Sequence, residues 1–252
     1  MPTALLISPH LDDAVFSAGG AMATLAGRGW RVAMATVFTR SVHPAHGFAL
    51  ACQRDKGLAD DIDYMALRRD EDAAAAAAIG AETLWLDLPE APHRGYETAA
   101  ALFGQYRPDD AIEPELVAVL QDAMLSVAPD LVLGPAAFGS HVDHRRVLDA
   151  LRVVAGDHAT AFWRDTPYVI RQPDTASGYA QLGGLEEVRL PIDDVLDVKV
   201  AAAAAYASQL GFQFGDAAGM RDALRRLAAR EGDGVAAERL YATPGAMRML
   251  RA

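Results

Sequence analysis

Residues 4–38 read ALLISPHLDDAVFSAGGAMATLAGRGWRVAMATVF. The run Ala4-Leu5-Leu6-Ile7 has the length and apolarity of a buried strand, and Pro9 stops its pairing because proline carries no N–H. Val15 to Ala26 reads as a helix. Arg28-Gly29 ends it, since glycine suits the left-handed position after a last turn. Val32 to Phe38 is a second strand, rich in apolar and β-branched residues. Strand, helix and strand at this spacing form a βαβ unit, which implies a parallel pair joined by a right-handed crossover. The polar stretch Ser8-Pro9-His10-Leu11-Asp12-Asp13 then lies at the carboxyl end of the first strand, where open α/β sheets bind ligands. Gly19-Gly20 sits inside the helix pattern, where a glycine costs about 1 kcal/mol against alanine. That cost predicts close packing on this helix face.

Outward from this unit the same alternation continues. Helices are expected over Tyr64–Ile79, about 98–106, Pro114–Val127, Val142–Val154, Val195–Ser208 and 219–230. Strands are expected over Thr83–Leu86, Leu131–Leu133, Thr160–Trp163, Tyr168–Arg171, Glu187–Leu190 and Arg239–Ala242. Thr39 to about Asp63 reads as a long irregular loop holding His43 and His46, both expected to be exposed. No repeat, linker or composition shift divides the chain. The expected fold is α/β: one domain over 1–252, Rossmann-like and three-layered, with a mostly parallel sheet and an active site at the carboxyl ends of its strands.

Composition narrows the function classes. The chain has 252 residues, 52% of them hydrophobic, enough for one sizeable core. Lys and Arg number 23 against 34 Asp and Glu, a net charge of −11, which argues against a nucleic-acid partner. The single cysteine, Cys52, excludes an intrachain disulfide framework and fits a reducing compartment. No run approaches the ~18 apolar residues of a membrane span, and Met1-Pro2-Thr3 has no basic leader character. A cytoplasmic protein is expected, and a homo-oligomer is left open.

A second polar cluster, Gly139-Ser140-His141-Val142-Asp143-His144, follows the apolar run Leu131–Leu133. A catalytic zinc usually takes three protein ligands and keeps one position for water. His10 and Asp13, spaced i, i+3 in one turn, can converge on one point, and His144 can complete the set. Asp12 then points elsewhere and is free to act as general base. His141 can face the reacting carbonyl, where a protonated imidazole would stabilise an oxyanion or protonate a leaving amine. Asp143 can accept a hydrogen bond from one of the imidazoles and fix its tautomer. Iron(II) shares such ligands with zinc. His93-Arg94, at the end of the third strand, is expected to line the pocket. Each cluster alone has a plainer reading. An Asp-Asp pair after a strand is usually a helix cap, and a lone HxxH is usually a helix face. Both at strand ends of one domain reinforce each other, and the absence of HExxH disfavours a zincin-type protease. Asp165 and Tyr168 read as turn residues, and Trp85 and Trp163 as core.

Pro9-His10-Leu11-Asp12-Asp13 with Gly19-Gly20, and later Gly139-Ser140-His141-Val142-Asp143-His144, resembles the PIG-L/LmbE-like zinc-dependent deacetylases. Arg68-x-x-Glu71 with Ala75 and Gly80, and Lys199 through Tyr206, Ser208 and Gln209, extend the likeness over most of 4–209. The resemblance implies hydrolysis of an N-acyl, usually acetyl, group from an amino sugar of the N-acetylglucosamine type, carried on a small-molecule conjugate. It implies His10, Asp13 and His144 as zinc ligands, Asp12 as base, His141 as the group acting on the intermediate with Asp143 tuning it, and Arg68 as a substrate contact. Many members have His-Pro-Asp-Asp, whereas here Pro9 precedes the histidine and Leu11 takes the inner place, so substrate fit is open to difference. Two other classes compete. A dinucleotide-binding oxidoreductase would need a G-x-G-x-x-G after the first strand, which is missing, and the turn is acidic where a pyrophosphate would lie. A non-catalytic metal- or sugar-binding protein would have no use for Asp12 and His141. Metal content combined with acetate release separates the three.

Overall fold

The computed structural model describes residues 1–173 and 182–252. Seven strands form one sheet in the order β3-β2-β1-β4-β5-β7-β6. They are β1 (Thr3–Ser8), β2 (Arg31–Thr36), β3 (Glu82–Trp85), β4 (Leu131–Pro135), β5 (Ala159–Trp163), β6 (Glu186–Pro191) and β7 (Ala237–Ala242). The first five pair in parallel, while β7 runs antiparallel to both β5 and β6. β1 is central: Leu5 sits opposite Ala33 of β2 and Val132 of β4.

Alternation along β1 sends its side chains to two cores. Ala4 and Leu6 pack with α1 (Asp13–Gly27), α3 (Tyr64–Ile79), α8 (Leu196–Ala203) and α10 (Ala217–Glu231). Leu5 and Ile7 pack with α5 (Glu113–Val127) and α6 (Val142–Val154). Both faces of the parallel strands are thus covered, which is why they read as unbroken apolar runs. Among the described residues no helix is long and apolar enough to cross a membrane.

Four expectations are corrected. Tyr168–Arg171 is not a strand but a short helix, α7, because Asp165 and Pro167 offer their carbonyls to the amides of Val169 and Arg171 and start a helical turn. The 39–63 segment is not irregular throughout: it carries α2 (Gly47–Arg54). The helix expected over 195–208 breaks into α8 and α9 (Ala207–Phe214). Trp85 is 40% exposed rather than core, with its indole N–H donating to Asp72 at 3.1 Å. Two further helices among the described residues are α4 (Ala99–Leu102) and α11 (Pro244–Arg251), which Thr243 caps.

Gly19-Gly20 has the packing its cost implied. Helix α1 kinks at Ala18, and the freed amides of Gly20 and Ala21 donate to the Glu238 carboxylate at 2.8 and 2.7 Å. Lys199 Nζ donates to the same carboxylate at 2.6 Å. A Cβ on Gly20 would lie 2.7 Å from Ile192 Cγ2, so only glycine admits this approach.

Candidate metal centre

The turn after β1 is fixed by Ser8, whose hydroxyl donates to His10 O at 2.7 Å and accepts from the Ala14 amide at 3.0 Å. This turn brings His10 and Asp13 toward one point. His10 Nδ1 lies 3.1 Å from Asp13 Oδ2, and His144 Nε2, from the first turn of α6, lies 3.1 Å from the same oxygen. One donor atom from each of His10, Asp13 and His144 falls within 4.8 Å of the others, a set able to hold a metal ion. His144 Nε2 is fully buried yet poorly aligned for a hydrogen bond, so it has no hydrogen-bond partner. A buried imidazole nitrogen without a hydrogen-bond partner beside a carboxylate, joined by a second imidazole, is a set of side chains that, once the imidazoles are deprotonated, fits a divalent ion.

The outer nitrogens of both imidazoles are held by buried carboxylates. His10 Nε2 meets Asp143 Oδ2 at 3.0 Å, and His144 Nδ1 meets Asp165 Oδ1 at 2.7 Å. Such a carboxylate–imidazole pair fixes the tautomer and aims the inner nitrogen. Asp143 therefore departs from its expected role: its carboxylate orients His10, not His141 or His144. Asp165, read from sequence as a turn residue, occupies the equivalent place behind His144. The signal for it was positional, a carboxylate just past the carboxyl end of β5, beside β4.

Electrostatics separate the two neighbouring aspartates. Burial opposes the charge on Asp13, but His144 and His10 against its oxygens hold the carboxyl well below the usual range. Asp12 is pushed up to about 7, chiefly by burial, against the pull of Arg68, whose guanidinium is 3.6 Å from Asp12 Oδ1. Burial also lowers His144, yet Asp13 and Asp165 outweigh it and raise the imidazole to about 9. His141 caps α6. Its Nδ1 accepts from the Asp143 amide at 3.2 Å, and burial drives the imidazole down to about 3 despite Asp143. It is neutral, with Nε2–H left as the donor, and not the imidazolium expected from sequence.

Arg68 donates to Glu90 at 2.6 Å and to Leu11 O at 3.2 Å, and its Nε is buried without a partner. Arg68 and His93 line a cavity of about 310 Å³ that has His10, Asp12 and Asp13 on its floor. Arg94 does not line it. Its guanidinium is spent on Asp110 at 3.0 Å, Asp143 at 2.8 Å and Pro89 O at 2.8 Å, so it braces Asp143 from behind. His43 and His46 are exposed. Tyr168, at the first position of α7, lines the cavity with its ring 5.5 Å from that of His144.

Comparison with known proteins adds a family context. The family described as PIG-L, GlcNAc-PI de-N-acetylase, matches residues 5–155. The chain is similar to a 2′-N-acetylparomamine deacetylase of Streptomyces fradiae, 36% identical over 170 residues, covering 65% of this chain and 57% of that protein. The match thus spans less than two thirds of that relative. It is also similar to a 2′-N-acetylparomamine deacetylase of Niallia circulans, 28% identical over 236 residues, covering 85% and 83% of the two chains. The crystal structure of the zinc-inhibited form of teicoplanin deacetylase Orf2 superposes with a TM-score of 0.83 at 24% identity, covering 95% of this chain and 97% of that one. At that identity the likeness speaks for the fold.

Proposed function

The chain belongs to the PIG-L family of GlcNAc-PI de-N-acetylases, and on that premise we propose that it hydrolyses the N-acetyl group of an amino-sugar substrate. The observation that carries this reading is the convergence of His10, Asp13 and His144, each imidazole backed by its own buried carboxylate. These three residues would hold the ion, zinc in our reading, with iron(II) the alternative for the same donors. When bound, such an ion supplies a Lewis acid that makes water acidic enough to lose a proton near neutral pH.

The remaining steps belong to the chain's own groups. Asp12, with an affinity for protons matched to neutral pH, takes the proton from the attacking water. Arg68 limits how far that carboxylate can swing and keeps an unspent Nε–H toward the substrate. His141 Nε2–H donates to the oxyanion of the tetrahedral intermediate. The proton held on Asp12 then passes to the departing nitrogen, giving acetate and a free amine. His93, on the cavity wall, contacts the sugar. That one sheet draws strands from Thr3 to Ala242 supports a single domain, and the lone thiol Cys52 supports a reducing, cytoplasmic setting. The dinucleotide-binding alternative is not favoured, since two carboxylic side chains, Asp12 and Asp13, occupy the β1–α1 turn where a pyrophosphate would need amides. The reading is tested by acetate release from an N-acetylated amino sugar before chelation, after chelation, and after adding zinc or iron(II) back. Loss and recovery of turnover supports it; turnover indifferent to chelation, in protein shown to be metal-free, sinks it.

A further inference from the structure

Four rings close one side of the cavity. Phe103, just past α4, stands nearly perpendicular to His141, with ring centres 5.4 Å apart, and to Tyr168, at 5.9 Å. Tyr168 meets His144 at 5.5 Å and His144 meets His141 at 5.4 Å, so the four make a closed circuit of edge-to-face contacts. Both ends of this wall are built. Gly139 makes room for Tyr168, since a Cβ there would lie 2.4 Å from Tyr168 Cγ. The Phe103 end is tied to α6, the helix that carries His144. Arg145 donates to Gly104 O at 3.0 Å, and the guanidiniums of Arg145 and Arg146 lie 4.3 and 3.8 Å from the centre of the Tyr106 ring. Phe103 itself is 45% exposed, an apolar ring that faces the cavity and solvent rather than the core.

Asp12, which hands its proton to the departing nitrogen, stands beside Arg68 of α3, so the sugar nitrogen belongs on that side. His141 takes the carbonyl oxygen. The remaining substituent of the carbonyl carbon, the acyl chain, then points away from Arg68. The cavity lining beside His141 and His144 consists of Leu102, Phe103, Pro167 and Tyr168, a largely apolar surface suited to a chain without polar atoms. We propose that Phe103 is a specificity-determining residue that limits the length of the N-acyl group removed. Its ring closes the space beyond the acyl methyl, so acetyl fits and longer chains meet the ring. Tyr168, seated against Gly139, is the fixed back of this pocket, and Phe103 is the part whose removal opens it. This rests on the deacetylase reading and specifies the acyl half of the substrate.

The test measures carboxylate release from N-acetyl-, N-propanoyl- and N-hexanoylglucosamine by metal-loaded wild type, Phe103→Ala and Phe103→Trp. The wild type should prefer acetyl. Phe103→Ala should raise the hexanoyl-to-acetyl ratio of kcat/KM about 10-fold or more, the scale on which a pocket discriminates by chain length. Phe103→Trp should act the other way and lower the propanoyl-to-acetyl ratio. A wild type that releases hexanoate as readily as acetate overturns the proposal, as does an unchanged ratio in Phe103→Ala. Should that variant not fold, Phe103→Trp decides, with an unchanged ratio overturning the wall. If no amide is cleaved by the wild type, the deacetylase reading fails. Calorimetric binding of acetohydroxamate and hexanohydroxamate to the same metal-loaded proteins then decides the wall by itself. Phe103→Ala should shift the preference toward the longer chain, and an unchanged preference overturns the proposal.

Discussion

Replacing Asp165 by Asn removes the charge behind His144 while keeping the side chain's shape. In the folded chain Asp165 Oδ1 takes His144 Nδ1–H at 2.7 Å and Oδ2 takes the Phe138 amide at 2.9 Å, both within the interior. An asparagine has one carbonyl oxygen, so it can accept from only one of these donors, and its NH2 faces the other. One buried donor is left unpaired, a loss of about 1–3 kcal/mol in stability. If the amide keeps Phe138, His144 loses its tautomer control. If it keeps His144, the imidazole still loses the anionic partner that makes it a better ligand. Removal of such an outer carboxylate weakens metal binding by about 10- to 100-fold, which corresponds to about 1.4–2.7 kcal/mol. The assay is competition for the metal against a chromophoric chelator, read beside acetate release. Activity should fall at limiting metal and recover substantially at excess metal. A variant that holds metal as tightly as wild type would show that His144 needs no orienting carboxylate and would overturn this role for Asp165.

Arg94→Met removes one partner from a buried cluster, leaving Asp143 without its guanidinium and Asp110 with only the more distant Arg146 at 3.6 Å. It should destabilise the chain by about 3–5 kcal/mol, read as a lower denaturant midpoint, and an unchanged midpoint would contradict the bracing role. Asp72 is buried and pushed up to about 6 by burial, against hydrogen bonds from Tyr206, Trp85 and Thr36. Its unfolded pKa is near about 3.9, so between these values the native state binds more protons and stability falls as pH rises. By pH 7 the loss amounts to about 3 kcal/mol. Asp72→Asn should therefore flatten the decline in stability between pH 4 and 6, and urea midpoints that fall as steeply as in wild type would refute this.

The β1–α1–β2 unit was legible because its apolar runs, Pro9 and Gly29 are local signals. So were His10, Asp13 and His144, whose i, i+3 and strand-end positions already imply convergence once the sheet is parallel. The roles of Asp165 and Asp143 were not. They depend on β5 lying beside β4 and on the loop after β3 folding over α6, which no local pattern encodes. Asp165-Thr166-Pro167 has turn chemistry, and that reading hid its second use. Arg94 was misplaced for a similar reason: its position at the sheet edge was legible, but the two buried carboxylates that claim it come from 16 and 49 residues away. Tyr168–Arg171 carries β-branched residues, yet Asp165 and Pro167 supply the carbonyls that wind it into a helix.

In the proposed mechanism His10, Asp13 and His144 hold the ion while Asp12 moves the proton. Asp12→Asn tests it in one sample by metal stoichiometry and acetate release from an N-acetylated amino sugar. Full metal occupancy with turnover reduced at least about 100-fold is the expected result. Retention of near-wild-type turnover, or loss of the metal with the activity, would contradict it.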